Sequence, residues 1–77
     1  MTERFIQLFK ETLEMEDKDV QPSDAFREYE EWDSLGQLSL IAMIDEEYDV
    51  VIEGKPFMEI KTIGELIKTI EQLKSAL

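Results

Sequence analysis

The 77-residue sequence contains neither cysteine nor histidine. These absences exclude disulfide bonds, thiol or Ser-His nucleophiles, and zinc sites built from Cys and His. The chain is also short, and a domain of this size buries only about 60% of the surface that its unfolded chain exposes. We therefore expect residues 1–77 to form a single domain that is not an enzyme and that holds no metal ion.

Basic residues are scarce as well, since eight Lys and Arg face 19 Asp and Glu and leave a net charge of −11. Such a charge repels nucleic acids and anionic membrane surfaces, so the expected partners are proteins with basic patches. No apolar run approaches the roughly 20 residues that cross a bilayer, and no signal peptide precedes the first amphipathic segment. The sequence therefore predicts a cytoplasmic monomer that binds no nucleic acid and does not span a membrane.

The acidic residues are concentrated in the middle of the chain. Nine of them lie between Glu28 and Gly54, a segment without Lys or Arg, whereas the remaining residues contain ten acids and eight bases. A solvated face is the simplest interpretation of such a run. However, several acids fall in the last turn of a predicted helix, where the helix dipole disfavours each of them by about 0.3–1 kcal/mol. This placement favours a docking surface.

The spacing of apolar residues predicts an all-α fold, a small four-helix bundle with three long helices, one short helix and a long first loop. The first helix is expected over 2–15, with Thr2 as N-cap. A connection over 17–33 follows, with a helical turn near 23–27. The second helix begins at Ser34 or Leu35, where Ser34 and Gln37 fit a capping box, and it ends near Tyr48.

The second half of the chain is expected to add a short helical turn over 56–59 and a last helix. Thr62 and Glu65 form a second capping box at the start of that helix. Its inner stripe consists of Ile63, Leu66, Ile67, Ile70, Leu73 and Leu77. By contrast, residues 38–44 of the second helix are apolar nearly all round, so part of that surface is expected to meet a partner or a ligand.

Three sequence motifs resemble those of acyl carrier proteins, and the resemblance covers nearly the whole chain. Asp33-Ser34-Leu35, at the start of the second helix, resembles the family's prosthetic-group site. The segment 45–50 resembles the acidic-aromatic end of the family's second helix, and 62–66 resembles the opening of its last helix. A bare Asp-Ser-Leu is common, so the signal lies in the combination of motif, position, acidic helix and length.

The resemblance implies that Ser34 accepts phosphopantetheine as a phosphodiester from a separate phosphopantetheinyl transferase. The thiol of the arm then carries an acyl or aminoacyl group as a thioester, and the arm would supply the sulfur that the chain lacks. Asp33 and Leu35 flank the attachment point, with Asp33 helping to orient a metal ion in the transferase site. The implied contacts with loading ligases, acyltransferases or synthases are Leu35, Leu38, Ala42, Asp45, Glu46 and Ile52. The implied acyl-chain pocket is lined by Ile44, Ile60 and Ile67.

Two departures from the family pattern favour a specialised carrier over a housekeeping one. Gly36 and Ser39 stand where fatty-acid carriers usually have acids, and a close approach of a partner's backbone is one reason for a glycine there. Glycine at this position is also similar to the Asp-Ser-Met-Gly of D-alanyl carriers. A D-alanyl or aminoacyl carrier and an unmodified acidic interaction module are the alternatives, and in the module Ser34 is only an N-cap. An EF-hand is excluded because Pro22 takes the place of the required glycine.

Overall fold

A computed structural model describes residues 2–75 and shows four α-helices, which confirms the predicted all-α bundle with its long first loop. We label them α1 (Thr2–Thr12), α2 (Ser34–Tyr48), α3 (Gly54–Glu59) and α4 (Ile63–Ser75). No strand is present in the described part of the chain, where one isolated β-bridge joins Ala25 and Thr62. Leu77, which we expected on the inner stripe of α4, lies outside the described residues.

All four helices and the first loop contribute side chains to one hydrophobic core. The side chains with no exposed surface are mainly aromatic or branched: Phe5, Phe9, Phe26, Leu40, Ile44, Phe57, Ile63, Leu66 and Ile70. No charged or polar residue in the described chain is buried. The core therefore relies on apolar burial and aromatic packing, as a domain of this size without disulfide bonds requires.

The first helix is shorter than predicted because a C-capping motif ends it at Thr12. Glu14 adopts a left-handed conformation with φ of 55°. The Met15 N–H donates to the Lys10 carbonyl at 2.9 Å and the Glu14 N–H donates to the Glu11 carbonyl at 3.2 Å. This pair of bonds forms a Schellman motif, which reverses the chain and buries Met15. The spacing of apolar residues therefore predicted a longer first helix than the structure has.

The long first loop is ordered by backbone contacts with the start of α4. The Gly64 N–H donates to the Pro22 carbonyl at 2.7 Å, and the Ile63 N–H donates to the Asp24 carbonyl at 3.2 Å. A Cβ atom on Gly64 would lie 3.2 Å from the Pro22 carbonyl oxygen, so glycine permits this close approach. The loop therefore satisfies two N–H groups that the first turn of α4 leaves without helical partners.

Several local predictions are corrected at the ends of elements. The turn in the first loop is a 3₁₀ helix over Phe26–Glu28 and not over 23–27, and α3 begins at Gly54, two residues earlier than predicted. The cap at Thr62 is confirmed, since its Oγ1 accepts a bond from the Glu65 N–H at 3.1 Å. Leu73 is 38% exposed, so its assignment to the inner stripe of α4 is wrong.

No helix within residues 2–75 is both long enough and apolar enough to cross a membrane.

Candidate functional site at the start of α2

Asp33 is the N-cap of α2. Its backbone is extended, its carbonyl accepts the Gln37 N–H at 3.0 Å, and its Oδ1 accepts the Gly36 N–H at 2.7 Å. The capping box predicted for Ser34 and Gln37 is therefore wrong, because Ser34 is already the first helical residue. Asp and Ser are both favoured N-caps, and the backbone conformation of this segment selects Asp33.

Ser34 is exposed in the first turn of α2. No hydrogen bond to its hydroxyl is present among residues 2–75, because Asp33 performs the capping role. The positive end of the helix dipole and the free N–H groups of this turn favour an anion next to the hydroxyl oxygen. The hydroxyl is therefore available for esterification, and a phosphate attached to it would lie where the helix stabilises negative charge.

Gly36 is buried because α1 approaches α2 closely at this point. A Cβ atom at Gly36 would lie 2.9 Å from Cδ2 of Leu13 and 3.2 Å from Oδ1 of Asp33, the capping oxygen. The predicted reason for this glycine, a partner's backbone, is therefore not needed. The contact is internal, and it fixes the backbone two residues after Ser34 against the end of α1.

Trp32 fixes the chain on the other side of Ser34. Its ring stacks on Phe57 of α3 with centroids 6.2 Å apart and planes 13° apart, and it packs edge-on against Phe26 at 5.0 Å. Arg27 covers this cluster, since its guanidinium carbon lies 5.1 Å from the ring centroids of both Phe26 and Phe57. One of its terminal nitrogens donates to the Phe57 carbonyl. Sequence analysis missed Arg27, because the pairing depends on a residue that lies 30 positions away.

The outer face of α2 carries most of the predicted partner contacts. Leu35 and Leu38 are 72% and 65% exposed, and Ala42, Asp45 and Glu46 are also exposed. Leu38, Ala42 and Asp45 follow Ser34 at intervals of three or four residues, so they share its side of the helix. The structure therefore places Ser34, an apolar strip and two carboxylates on one surface.

The other acids at the end of α2 have internal roles. Glu47 accepts a hydrogen bond from Arg4 of α1 at 3.0 Å. Asp49 is the C-cap in a left-handed conformation, and its N–H donates to the Asp45 carbonyl. At this end of α2, Asp45, Glu46 and Asp49 therefore have exposed carboxylates that form no ion pair within residues 2–75.

Ile52 does not belong to this surface. Its side chain is 3% exposed and forms part of the core, as does that of Val50, whereas Val51 between them is 65% exposed. The prediction that Ile52 offers an apolar surface contact is therefore wrong. Met58 on α3, which sequence analysis did not single out, is 59% exposed and apolar. Its neighbour Phe57 stacks on Trp32, so Met58 belongs to the segment that packs beside the start of α2.

The three residues predicted to line an acyl-chain pocket lie in the same core cluster. Ile44, Ile60 and Ile67 are at most 7% exposed. Ile60 also lines an open groove on the surface of α3 and α4, together with Pro56, Glu59, Glu65, Lys68, Thr69 and Gln72. A chain that entered between the helices would have to displace packed side chains at these three positions.

One hydrogen bond and one ion pair link side chains of the loop that leads to Ser34. The Tyr29 hydroxyl donates to Oδ2 of Asp24 at 2.6 Å, and this bond holds the pKa of Asp24 below its usual range. Burial together with the same carboxylate raises the pKa of Tyr29. Nearer to Ser34, Lys18 donates to Glu31 at 3.0 Å and lowers the pKa of that carboxyl. Both carboxylates are therefore stabilised in their ionised form at neutral pH.

A family model described as the phosphopantetheine attachment site matches residues 3–70. Neither the curated proteins nor the solved structures gave a match. The matched region runs from the first turn of α1 to the middle of α4, so it contains the whole of the site described above.

Proposed function

Because this chain belongs to the phosphopantetheine-binding family of carrier domains, we propose that Ser34 is the residue to which the phosphopantetheine is attached. The observation that supports this choice is that Asp33, and not Ser34, caps the N-terminus of α2. Asp33 Oδ1 caps the helix at the Gly36 N–H, and Ser34 is exposed in the first turn with a hydroxyl that no described group engages. A serine that served only as an N-cap would have its oxygen directed at those N–H groups.

Attachment is a single displacement at phosphorus. The Ser34 oxygen bonds to the phosphorus that bears the pantetheine in coenzyme A, the pyrophosphate linkage of coenzyme A breaks, and adenosine 3′,5′-bisphosphate leaves while the hydroxyl proton passes to the transferase or to solvent. The attached group supplies a thiol that carries cargo as a thioester. The chain itself contributes an exposed oxygen, a helix N-terminus that stabilises the phosphate, and a backbone held on either side by Trp32 and Gly36.

The cargo that we propose is an acyl or aminoacyl group, passed between a loading ligase and acyltransferases or synthases with basic patches. Leu35, Leu38, Ala42, Asp45 and Glu46 form the surface that those enzymes contact, and Asp33 completes the attachment motif. The neutral first half of α2 supports a specialised carrier. Gly36 does not by itself favour a D-alanyl carrier, because its contact with Leu13 gives the glycine a structural role.

Intact mass spectrometry tests the attachment. The apo protein is incubated with coenzyme A, Mg²⁺ and a phosphopantetheinyl transferase, and we expect a gain of one phosphopantetheinyl group in the wild type. Ser34→Ala is expected to gain nothing, whereas the matched variant Ser39→Ala, five residues further along α2, is expected to be modified as the wild type is. An unmodified wild type would favour the alternative, an acidic helical interaction module.

The cargo class is tested on the holo protein. Acyl-activating and aminoacyl-activating ligases, each with ATP and its own acid, are compared by the mass added to the thiol. Loading by an aminoacyl ligase alone would favour the D-alanyl or aminoacyl alternative. Loading with a fatty acid or another carboxylic acid would favour the acyl carrier.

A further inference from the structure

Trp32, two residues before Ser34, is the only tryptophan in the chain, and its side chain packs against α3. The indole ring stacks on Phe57 of α3 with centroids 6.2 Å apart, and it meets the ring of Phe26 edge-on at 5.0 Å. Phe26 and Phe57 have no exposed surface, and Trp32 is half-buried. The three rings therefore pack between the start of α2 and α3, beside the proposed attachment point.

Arg27 covers the same rings with a positive charge. Its guanidinium carbon lies 5.1 Å from the ring centroid of Phe57 and 6.0 Å from that of Trp32. The group also donates a hydrogen bond to the Phe57 carbonyl, so two kinds of contact hold it in place. An alkyl chain that passed between α2 and α3 here would separate the stacked rings and displace the guanidinium from its carbonyl partner. Both changes are unfavourable.

The core behind these rings is occupied by packed side chains. Ile44 and Leu66 have no exposed surface, and Ile60 and Ile67 are at most 7% exposed. Protein cores have the packing density of organic crystals, so additional groups force side chains out of their preferred rotamers or move the backbone. A pocket among Ile44, Ile60 and Ile67 would therefore have to open against this packing and against the rings beside Ser34.

The other side of the start of α2 is open but charged. A groove of about 310 Å³ lies between the end of α1 and the start of α2, and its walls include the exposed carboxylates of Glu14, Glu31 and Asp33. A hydrocarbon chain in this groove would take water from the carboxylates and offer them no hydrogen bond in exchange. Neither side of the attachment point therefore favours a long alkyl chain.

We propose that Trp32, Phe57 and Arg27 determine the cargo of this carrier, because they keep the phosphopantetheine arm and its acyl group outside the helical bundle. The cargo class that fits is a short or polar acyl or aminoacyl group, which gains little from burial. A long alkyl chain is disfavoured, since the bundle does not shield it from water. This inference rests on the proposed function, and it narrows the cargo that the arm carries.

The first test uses Trp32 as the reporter, because no other tryptophan contributes to the emission. A purified phosphopantetheinyl transferase attaches the acylated arm from acetyl-coenzyme A or octanoyl-coenzyme A, and intact mass confirms complete modification. We expect the emission maximum to be the same in the acetyl and octanoyl forms of the wild type. A shift to longer wavelength in the octanoyl form would show that the chain has moved Trp32 from Phe57 into water, and it would overturn the proposal.

The second test compares the thermal unfolding of the acetyl and octanoyl forms. A chain that is buried only in the native state would raise Tm of the octanoyl form by about 5 °C or more. We expect a difference below about 1 °C in the wild type. Trp32→Ala removes the stacked ring, so its octanoyl form is expected to have the higher Tm. The matched control Trp32→Phe keeps a ring against Phe57 and is expected to behave as the wild type does.

Each comparison is made within one variant, so the effect of the substitution itself on stability cancels. Phe57→Leu is the second opening variant, and it keeps the experiment decisive if Trp32→Ala does not fold. An octanoyl chain that stabilises the wild type overturns the proposal. Opening variants that fold and gain no stability from the chain overturn the role of the rings. A wild type that gains no mass overturns the proposed function instead, so the two failures are distinct.

Discussion

Substitution of Asp33 and Ser34 distinguishes the two possible caps of α2. Asp33→Ala removes the bond from the Gly36 N–H, which is 2.7 Å long, and it removes a negative charge from the helix N-terminus. Loss of an N-cap costs about 1 kcal/mol and loss of the charge about 0.3–1 kcal/mol. The free energy of unfolding should therefore fall by about 1.5 kcal/mol, which in a domain of this size lowers Tm by about 6–12 °C.

Two further variants separate the contribution of the capping hydrogen bond from that of the Asp33 charge. Asp33→Asn keeps an oxygen acceptor for the Gly36 N–H and loses only the charge, so we expect a loss of about 0.3–1 kcal/mol. Ser34→Ala removes a hydroxyl that caps nothing, and alanine is the better helix former, so its stability should equal or slightly exceed that of the wild type. From most to least stable, the expected order is Ser34→Ala, Asp33→Asn, Asp33→Ala.

The assay is thermal and urea unfolding of the apo proteins, followed by far-ultraviolet circular dichroism. Equal m-values among the variants would show that the cap alone has changed. A loss of about 1 kcal/mol in Ser34→Ala, with Asp33→Ala as stable as the wild type, would refute the assignment of the cap. Asp33→Asn can also be assayed for modification of Ser34. Slow modification of this folded variant would show that the transferase reaction requires the negative charge of Asp33.

Three further predictions concern stability. Tyr48→Phe should raise the free energy of unfolding by about 1 kcal/mol, because the buried Tyr48 hydroxyl has no hydrogen-bond partner within residues 2–75; a lower urea midpoint would contradict this. Gly64→Ala should lower the free energy of unfolding by about 1–3 kcal/mol, because the new Cβ would lie 3.2 Å from the Pro22 carbonyl oxygen and push the first loop away from α4. An unchanged urea midpoint would show that the loop can move aside without loss of stability. Asp24→Asn should be less stable than the wild type at about pH 7, with the difference shrinking as pH falls towards about 3. The reason is that the hydrogen bond from Tyr29 lowers the pKa of Asp24. The contribution of this bond to stability is therefore complete above the ordinary Asp pKa and is lost as the native carboxylate becomes protonated. A difference in melting temperature between the two proteins that stays constant with pH would contradict this prediction.

The number, order and approximate extent of the helices could be predicted from the sequence, because amphipathic spacing marks the buried sides of α1 and α4 and turn or cap residues bound the other two helices. The position of Ser34 at the start of α2 was predictable from the polar residues that precede the apolar run, although the capping box inferred there was wrong. The identity of the N-cap of α2 could not be predicted, because Asp33 and Ser34 are adjacent and both are favoured N-cap residues. The choice between them depends on their backbone angles. Likewise, the alternation of buried Val50, exposed Val51 and buried Ile52 is set by packing that no local pattern specifies.

The contacts that hold the site in place are tertiary, and they explain how an exposed serine can still be precisely presented. Two residues before Ser34, Trp32 stacks on Phe57 of α3, and two residues after it, Gly36 lies against Leu13 at the end of α1. The backbone on either side of Ser34 is thus anchored to two different helices while Ser34 itself is exposed. An enzyme therefore meets a hydroxyl whose position is already fixed, so little conformational entropy is lost when it binds.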